Sequence, residues 1–222
     1  MKKRDSAETK RRILLAAEVE FSEKGFYGAR IDEIARSAEA NKKLIYDYFG
    51  NKQDLYRAVF INVYSRLAQE ELAVVKAEQD AGSPEYMVGQ IISLYFTYLQ
   101  NNPSYINLLM WENLQSGMNV KDYDMSKPRE MTIRMVKDII ASGKAKGVFR
   151  QEVDTDYAVT SIMMFTFSYF SNRYTLSNIL RCNFFDPGLI EEERKNLTEF
   201  FLRYLCVPEV LASPKFSKLW DR

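Results

Sequence analysis

The stretch that most constrains this chain is Ile31 to Phe49, Ile-Asp-Glu-Ile-Ala-Arg-Ser-Ala-Glu-Ala-Asn-Lys-Lys-Leu-Ile-Tyr-Asp-Tyr-Phe. Its periodicity predicts two short helices joined by a tight turn. Ile31, Ile34, Ala35 and Ala38 stand three and four apart and share one face of the first helix. Asn41 is placed to cap the second, its side-chain oxygen taking a free N–H of the next turn. From Lys42 to about Phe49, Ile45 and Phe49 supply an inward face. Lys42, Lys43, Leu44, Tyr46, Asp47 and Tyr48 are left for the other side.

That second helix works against its own electrostatics. A helix N-terminus carries partial positive charge, so two lysines in the first turn are unfavourable unless an anion faces them. DNA is such an anion. A helix-turn-helix lays its second helix in the major groove with its first residues at base edges. Lys42, Lys43, Leu44 and Tyr48 are the candidates for base contact. Lysine donates to guanine O6 and N7, and Leu44 suits a thymine methyl. Asn41 and Arg30, at the entrances to the two helices, join them as DNA-binding candidates. A solvated charged face is the competing meaning of Lys-Lys alone.

These residues resemble the DNA-binding end of the TetR family of bacterial regulators, from about Thr9 to Phe60. The opening helix Ile13 to Phe21, Lys24-Gly25-Phe26, Ile34-Ala35 and Leu44 to Tyr56 carry the resemblance. The last segment is similar to the family's Tyr-x-Tyr/His-Phe-x-x-Lys signature. Three positions depart from the pattern. Arg30 stands where a capping Thr is common, Glu39 where the turn has Gly, and Leu44 where Ser or Thr is usual. The resemblance implies that Tyr46 and Lys52 hold phosphates. It also implies an all-α protein, with a helix-turn-helix domain over residues 1–52 and a helical effector-binding and dimerisation domain over 53–222.

Composition agrees with a folded, non-enzymatic chain. Of 222 residues, 46% are hydrophobic and 14% aromatic, enough for a sizeable core. Net charge is +1, so affinity for nucleic acid has to come from a local patch. Residues 1–52 hold twelve basic and nine acidic side chains, net +3; the remaining 19 basic and 21 acidic give −2. With no histidine and two cysteines 24 positions apart, His-based catalysis and a Cys/His zinc site are excluded. No cofactor or metal is expected, and no phosphate-binding Gly-rich loop or nucleophile motif is present. Spacing leaves a disulfide between Cys182 and Cys206 open, but two buried or idle thiols in a reducing cytosol are the simpler reading. Met1-Lys-Lys-Arg is not followed by an apolar segment, and no run reaches the roughly 18 apolar residues of a membrane span. A soluble, cytoplasmic protein is expected.

Taken in order, residues 1–8 are expected to be mobile, with Lys2, Lys3 and Arg4 able to reach a phosphate. Helix one runs from Ser6 or Thr9 to Lys24, ended by Gly25. Helix four runs from Lys52 to about Gln79, with the apolar series Leu55, Val59, Val63, Leu67, Leu72 and Val75. It belongs to both domains and so can carry motion between them. Ser83-Pro84 and Asn102-Pro103 open helices five and six, which end near Gln100 and Ser116-Gly117. Helix seven spans Pro128 to Lys146, after Ser126. Asp154 or Thr155 caps helix eight, to Ser177, and Asp186-Pro187 opens helix nine, to Leu205. Nine helices result, with a possible turn at 216–220.

One recognition helix reads few base pairs, so a homodimer on a near-palindrome is expected, its two helices about 34–36 Å apart. Tyr157, Ser161 and Ser168 of helix eight and Leu197, Phe200, Phe201 and Tyr204 of helix nine are the candidate interface. The aromatic and methionine-rich middle suits a pocket for a bulky apolar ligand as well as a plain core. Tyr95, Met110, Trp111, Glu112, Met131, Phe165 and Tyr169 are its candidate lining, with Glu112 and Arg173 the notable charges. The leading expectation is a repressor released from double-stranded DNA by a small apolar or amphipathic effector. The alternative is an architectural DNA binder or adaptor governed by a protein partner.

Overall fold

The computed structural model describes residues 2–78, 82–213 and 216, with side chains from residue 6 onward and without those of 77 and 78. Ten helices are present among the described residues: α1 (Lys2–Gly28), α2 (Ile31–Ser37), α3 (Lys42–Phe49), α4 (Lys52–Glu78), α5 (Pro84–Asn101), α6 (Pro103–Leu114), α7 (Glu130–Ala145), α8 (Thr155–Ile179), α9 (Pro187–Leu205) and α10 (Pro208–Leu211). The single-turn α10, opened by Pro208, was not expected. The turn expected at 216–220 lies outside the described residues except for Phe216, and so do the side chains of Lys2, Lys3 and Arg4.

Several ends differ from the sequence reading for local reasons. The backbone of α1 is already helical at Lys2, where a mobile start was expected. Its regular part does stop at Gly25, whose φ of 65° interrupts the helix before Gly28. α6 stops at Leu114, because Ser116 turns left-handed at φ 56°. α7 starts at Glu130 rather than Pro128. The Ser126 hydroxyl and amide are both turned to Asp124 Oδ1, at 2.5 and 3.1 Å, and are spent on that local turn. Asp154 and Asp186 cap α8 and α9 as expected, accepting from Tyr157 N and Leu189 N.

Contacts group the chain into two compact units. Unit 1 comprises Met1–Leu67 and Asn102–Pro128, and unit 2 comprises Ala68–Asn101 and Arg129–Arg222. α6 therefore belongs with the first three helices. In unit 1 Ile13, Ala17 and Phe21 of α1, Ile34 of α2, Ile45 of α3 and Leu55, Tyr56 and Val59 of α4 are fully buried and form the interior. Tyr56 is the hub, its ring 4.9 Å from Phe21, 5.2 Å from Phe26 and 5.0 Å from Phe60. Trp111 of α6 lies across Gly25. A Cβ there would sit 2.9 Å from the indole, so this position requires glycine for both space and φ.

Unit 2 packs α5 against α7, α8 and α9. Val88, Ile91, Ile92, Phe96, Val136, Ile140, Ala158, Ile162, Phe170, Phe201, Leu202 and Leu205 form its interior. Gly143 lets the Phe149 ring approach the back of α7, where a Cβ would collide at 2.1 Å. Phe149 then forms a lone antiparallel bridge to Cys206. Cys182 is exposed and Cys206 buried, both free.

Candidate nucleic-acid interface

The turn between α2 and α3 is built as its sequence requires. Asn41 adopts extended backbone, and its Oδ1 accepts from Leu44 N at 2.7 Å, capping α3. Glu39 occupies the left-handed region at φ 49°, where glycine is commoner. Arg30 is the N-cap of α2 but makes no side-chain cap bond. Its backbone N–H instead donates to Glu20 Oε1 of α1 at 3.0 Å, so α1 closes the end of α2. Burial raises the Glu20 carboxyl, but Lys24 and the Arg30 amide outweigh it and hold it below its ordinary value.

Ile45 turns inward and is 1% exposed. Phe49, read as a second inward residue, is half-buried at the end of the helix with its ring 6.4 Å from Tyr48. Lys42, Lys43, Tyr46 and Asp47 are exposed, while Leu44 and Tyr48 are half-buried. α3 thus presents one polar, aromatic face to solvent.

The cations on this surface are not alike. Lys42 Nζ lies 3.0 Å from Asp32 Oδ1. The hydrogen bond to Asp32, then its charge, hold the ammonium above its ordinary value. Both partners are exposed, and such pairs are weak, so DNA can displace the aspartate cheaply. Lys52 donates to the Ala29 carbonyl at 2.6 Å and lies 5.0 Å over the Phe26 ring. Desolvation lowers its pKa despite the nearby Glu20. It braces the start of α4 against the end of α1 and has two N–H donors left for a phosphate. Arg30 is exposed. Lys10 stands 5.1 Å over the Tyr48 ring, a neighbour of the recognition helix that the sequence reading missed.

The residues read as ligand-binding are not gathered into one lining. Met110, Trp111 and Glu112 belong to unit 1. Trp111 Nε1 donates to Ser22 O at 3.2 Å. Buried Glu112 accepts from Tyr56 Oη, Asn119 N and Asn119 Nδ2 at 3.0, 2.7 and 3.0 Å. Met110 is exposed. In unit 2, Tyr95 is buried and donates to Glu71 Oε1 at 2.6 Å. Tyr169 packs against Phe96, Phe170 and Phe184. Met131 and Phe165 are both more than half exposed. Arg173 lies over Phe185 at 4.6 Å.

Unit 2 carries several openings among its described residues, one of about 440 Å³ beside Phe149 and Pro208. A second, about 450 Å³, lies between α5 and α9, where Arg194 is held by Glu191 and by Ser93 Oγ. Another, about 320 Å³, is lined by α4, α5 and α7.

The residues read as a dimer surface divide by depth. Leu197 and Phe201 are buried in the unit, Ser161 is half-buried, and Tyr157, Ser168, Phe200 and Tyr204 are exposed. Met164 and Phe165 extend the exposed set, and the Phe165 ring lies 6.0 Å from that of Phe200.

A three-helix unit that caps and exposes the second helix of a helix-turn-helix defines a DNA-binding protein. The chain belongs to the TetR family. Residues 13–59 match the family model for bacterial regulatory proteins of the tetR family, and residues 84–200 match the tetracyclin repressor-like C-terminal domain. It is 32% identical over 179 residues to the HTH-type transcriptional repressor NicS of Pseudomonas putida, covering 80% of this chain and 83% of that one. It is 28% identical over 166 residues to the regulator UidR of Escherichia coli, covering 72% and 78%. Among solved structures, the fatty acid degradation regulator FadR of Bacillus halodurans superposes with a TM-score of 0.67 at 20% identity, covering 87% and 94% of the two chains. FadR of Bacillus subtilis in complex with stearoyl-CoA does so with 0.63 at 15%, covering 87% and 98%. The chain is a DNA-binding transcriptional regulator; its family and relatives are regulators and not enzymes. Among the described residues no helix is long and apolar enough to cross a membrane.

Proposed function

We propose that the chain is a homodimeric repressor that sits on a near-palindromic operator and leaves it when a small apolar or amphipathic molecule binds unit 2. The observation that carries the reading is α3 itself, capped by Asn41, anchored by Ile45 and exposed along Lys42, Lys43 and Tyr46. Lys43 and Leu44 read base edges, with Lys42 and Tyr48 beside them. Tyr46, Lys52, Arg30 and the backbone around Asn41 hold phosphates, positioning without specifying. The protein acts in the cytoplasm, where its operator is.

Dimerisation through α8 and α9 is supported by Tyr157, Met164, Phe165, Phe200 and Tyr204, large side chains left exposed on these two helices. Clusters of exposed apolar side chains mark interaction sites. Effector response is supported by the relatives: NicS is a named repressor, and a structural relative was solved with stearoyl-CoA. The effector has to bind the two states of the regulator unequally; tight binding alone releases nothing. α4 begins in unit 1 and continues into unit 2, and is the element on which that difference acts.

A gel shift on the DNA upstream of the protein's own gene tests the reading. The wild type is expected to select one site, and Lys43→Ala to bind with flattened sequence preference. Phe200→Glu is expected to yield monomers in sedimentation and to lose the operator. A wild-type protein that is monomeric and ignores every duplex at low salt contradicts the proposal.

A further inference from the structure

The groove between α5 and α9 has a polar wall to which both helices contribute. It encloses about 450 Å³ and lies wholly within unit 2. On α5, Gln90, Ser93 and Thr97 stand three and four residues apart and share one face. Opposite them, α9 brings Glu191, Arg194 and Lys195 to the same groove.

Arg194 is its fixed point. Nε and Nη2 donate to Glu191 Oε2 and Oε1 at 2.7 and 2.6 Å, and Nη1 crosses to Ser93 Oγ of α5 at 2.7 Å. A pair three residues apart on one exposed helix face is weak and is easily exchanged. Here the bond to Ser93, 101 residues away in the chain, holds the guanidinium from a second helix. The Arg194 side chain is 20% exposed, so it is set into the wall and still reachable. Three of its five N–H bonds are spent, which leaves two for a bound acceptor. Because the pose is set in advance, an acceptor costs little further side-chain freedom.

Charge along the groove is uneven. Lys195 Nζ lies 3.7 Å from Glu191 Oε1, so two cations share one carboxylate at this end, an excess of one positive charge. That excess suits a single anionic group, and an arginine fork matches a carboxylate in shape. Glu85 lines the groove as well. It precedes Ser93 by eight residues, about 12 Å along α5. A second anion on the same ligand would meet it as a like charge. The Gln90 amide and the Thr97 hydroxyl, each within a turn of Ser93, offer both donors and acceptors, which is what hydroxyl groups require. Gly89 adds no side chain to the floor, and a Cβ there would lie 3.5 Å from Thr198 Cγ2.

We propose that the α5–α9 groove binds a hydroxylated monocarboxylic acid of the sugar-acid kind. Arg194 and Lys195 take the carboxylate, Gln90 and Thr97 take hydroxyl groups, and Glu85 turns away a second carboxylate. Ser93 is a positioning residue that holds Arg194 in its pose. This ligand is distinct from the apolar or amphipathic effector, and its binding stands or falls without that reading.

Four six-carbon probes separate the requirements: gluconate, sorbitol, hexanoate and glucarate. Calorimetry on the full-length protein at pH 7 measures each. Gluconate is expected to bind about tenfold tighter than sorbitol, which lacks the carboxylate, and than hexanoate, which lacks the hydroxyls. Glucarate, with its second carboxylate, is expected to be as weak as these two. Arg194→Gln is expected to bring gluconate down to the level of sorbitol, and Thr97→Val to weaken gluconate but not hexanoate. Gly89→Leu, which fills the floor, is expected to abolish gluconate binding. Circular dichroism checks the fold of each variant. Leucine is a better helix former than glycine, so Gly89→Leu decides the matter if Arg194→Gln unfolds.

Equal binding of sorbitol or hexanoate, or tighter binding of glucarate, overturns the ligand class. Gluconate affinity that survives both Arg194→Gln and Gly89→Leu overturns the site. Binding of none of the four overturns the proposal as a whole.

Discussion

Two buried glutamates, one in each unit, show how differently the same group is held. Glu112 of unit 1 uses both oxygens: Oε2 takes Tyr56 Oη and Asn119 Nδ2, and Oε1 takes Asn119 N. Its partners come from α4 and from the turn after α6, so it ties that turn and α6 to α4. Glu71 of unit 2 gathers its donors on one oxygen and balances its charge against Arg129. One carboxylate is finished by its own fold and is structural. The other pairs with Arg129 through one oxygen, and its Oε2 is buried without a protein donor. Glu18 of unit 1 resembles Glu71 in this, its Oε2 buried and without a donor, so the contrast lies between two sites and not between whole units.

Arg129→Ala should break the contrast most strongly. It strands a buried carboxylate without its counter-charge, and a loss of about 3–5 kcal/mol is expected in urea unfolding. Glu112→Ala should follow, at about 2–3 kcal/mol, since three inward donors lose their acceptor together. A smaller loss there than in any exposed-site control would mean Glu112 is not the tie described. Gly25→Ala should cost about 1–3 kcal/mol from left-handed backbone alone, and the displaced indole should change Trp111 fluorescence. Asn41→Ala removes the cap of α3 for about 1 kcal/mol, and its effect on DNA affinity should exceed its effect on the melting of unit 2.

The smallest effect is acid. The Glu20 carboxyl lies below its ordinary 4.5 in the folded chain. Its contribution is therefore complete above pH 4.5 and fades as pH falls through the lower folded value. Glu20→Gln should flatten that limb of the stability curve, and an unchanged limb assigns it to other carboxylates.

Much of unit 1 was legible because local rules govern it. The Asn41 cap, the Gly25 stop and the inward Ile45 follow from spacing and backbone preference alone. Lys52 was legible as a position but not as a brace, since the Ala29 carbonyl comes from 23 residues away. The pocket candidates fared differently. An aromatic count cannot say that Trp111 and Glu112 are used by unit 1, or that Phe165 is exposed. One signal was readable and was missed. Leu55, Val59, Val63, Leu67, Glu71 and Val75 step by fours along α4, and Glu71, not Leu72, holds the buried register. A charge in that series marks a polar group that its fold must satisfy.

The sequence alone determined the helices, their caps and stops, and the basic, aromatic face of α3, because these depend on residues within a turn or two. Tertiary structure alone decided which carboxylate bonds through both oxygens and which through one. Hydrogen-bond partners 24 to 58 residues apart, such as Tyr95 and Arg129 on Glu71, are chosen by packing and leave no periodic trace in the chain.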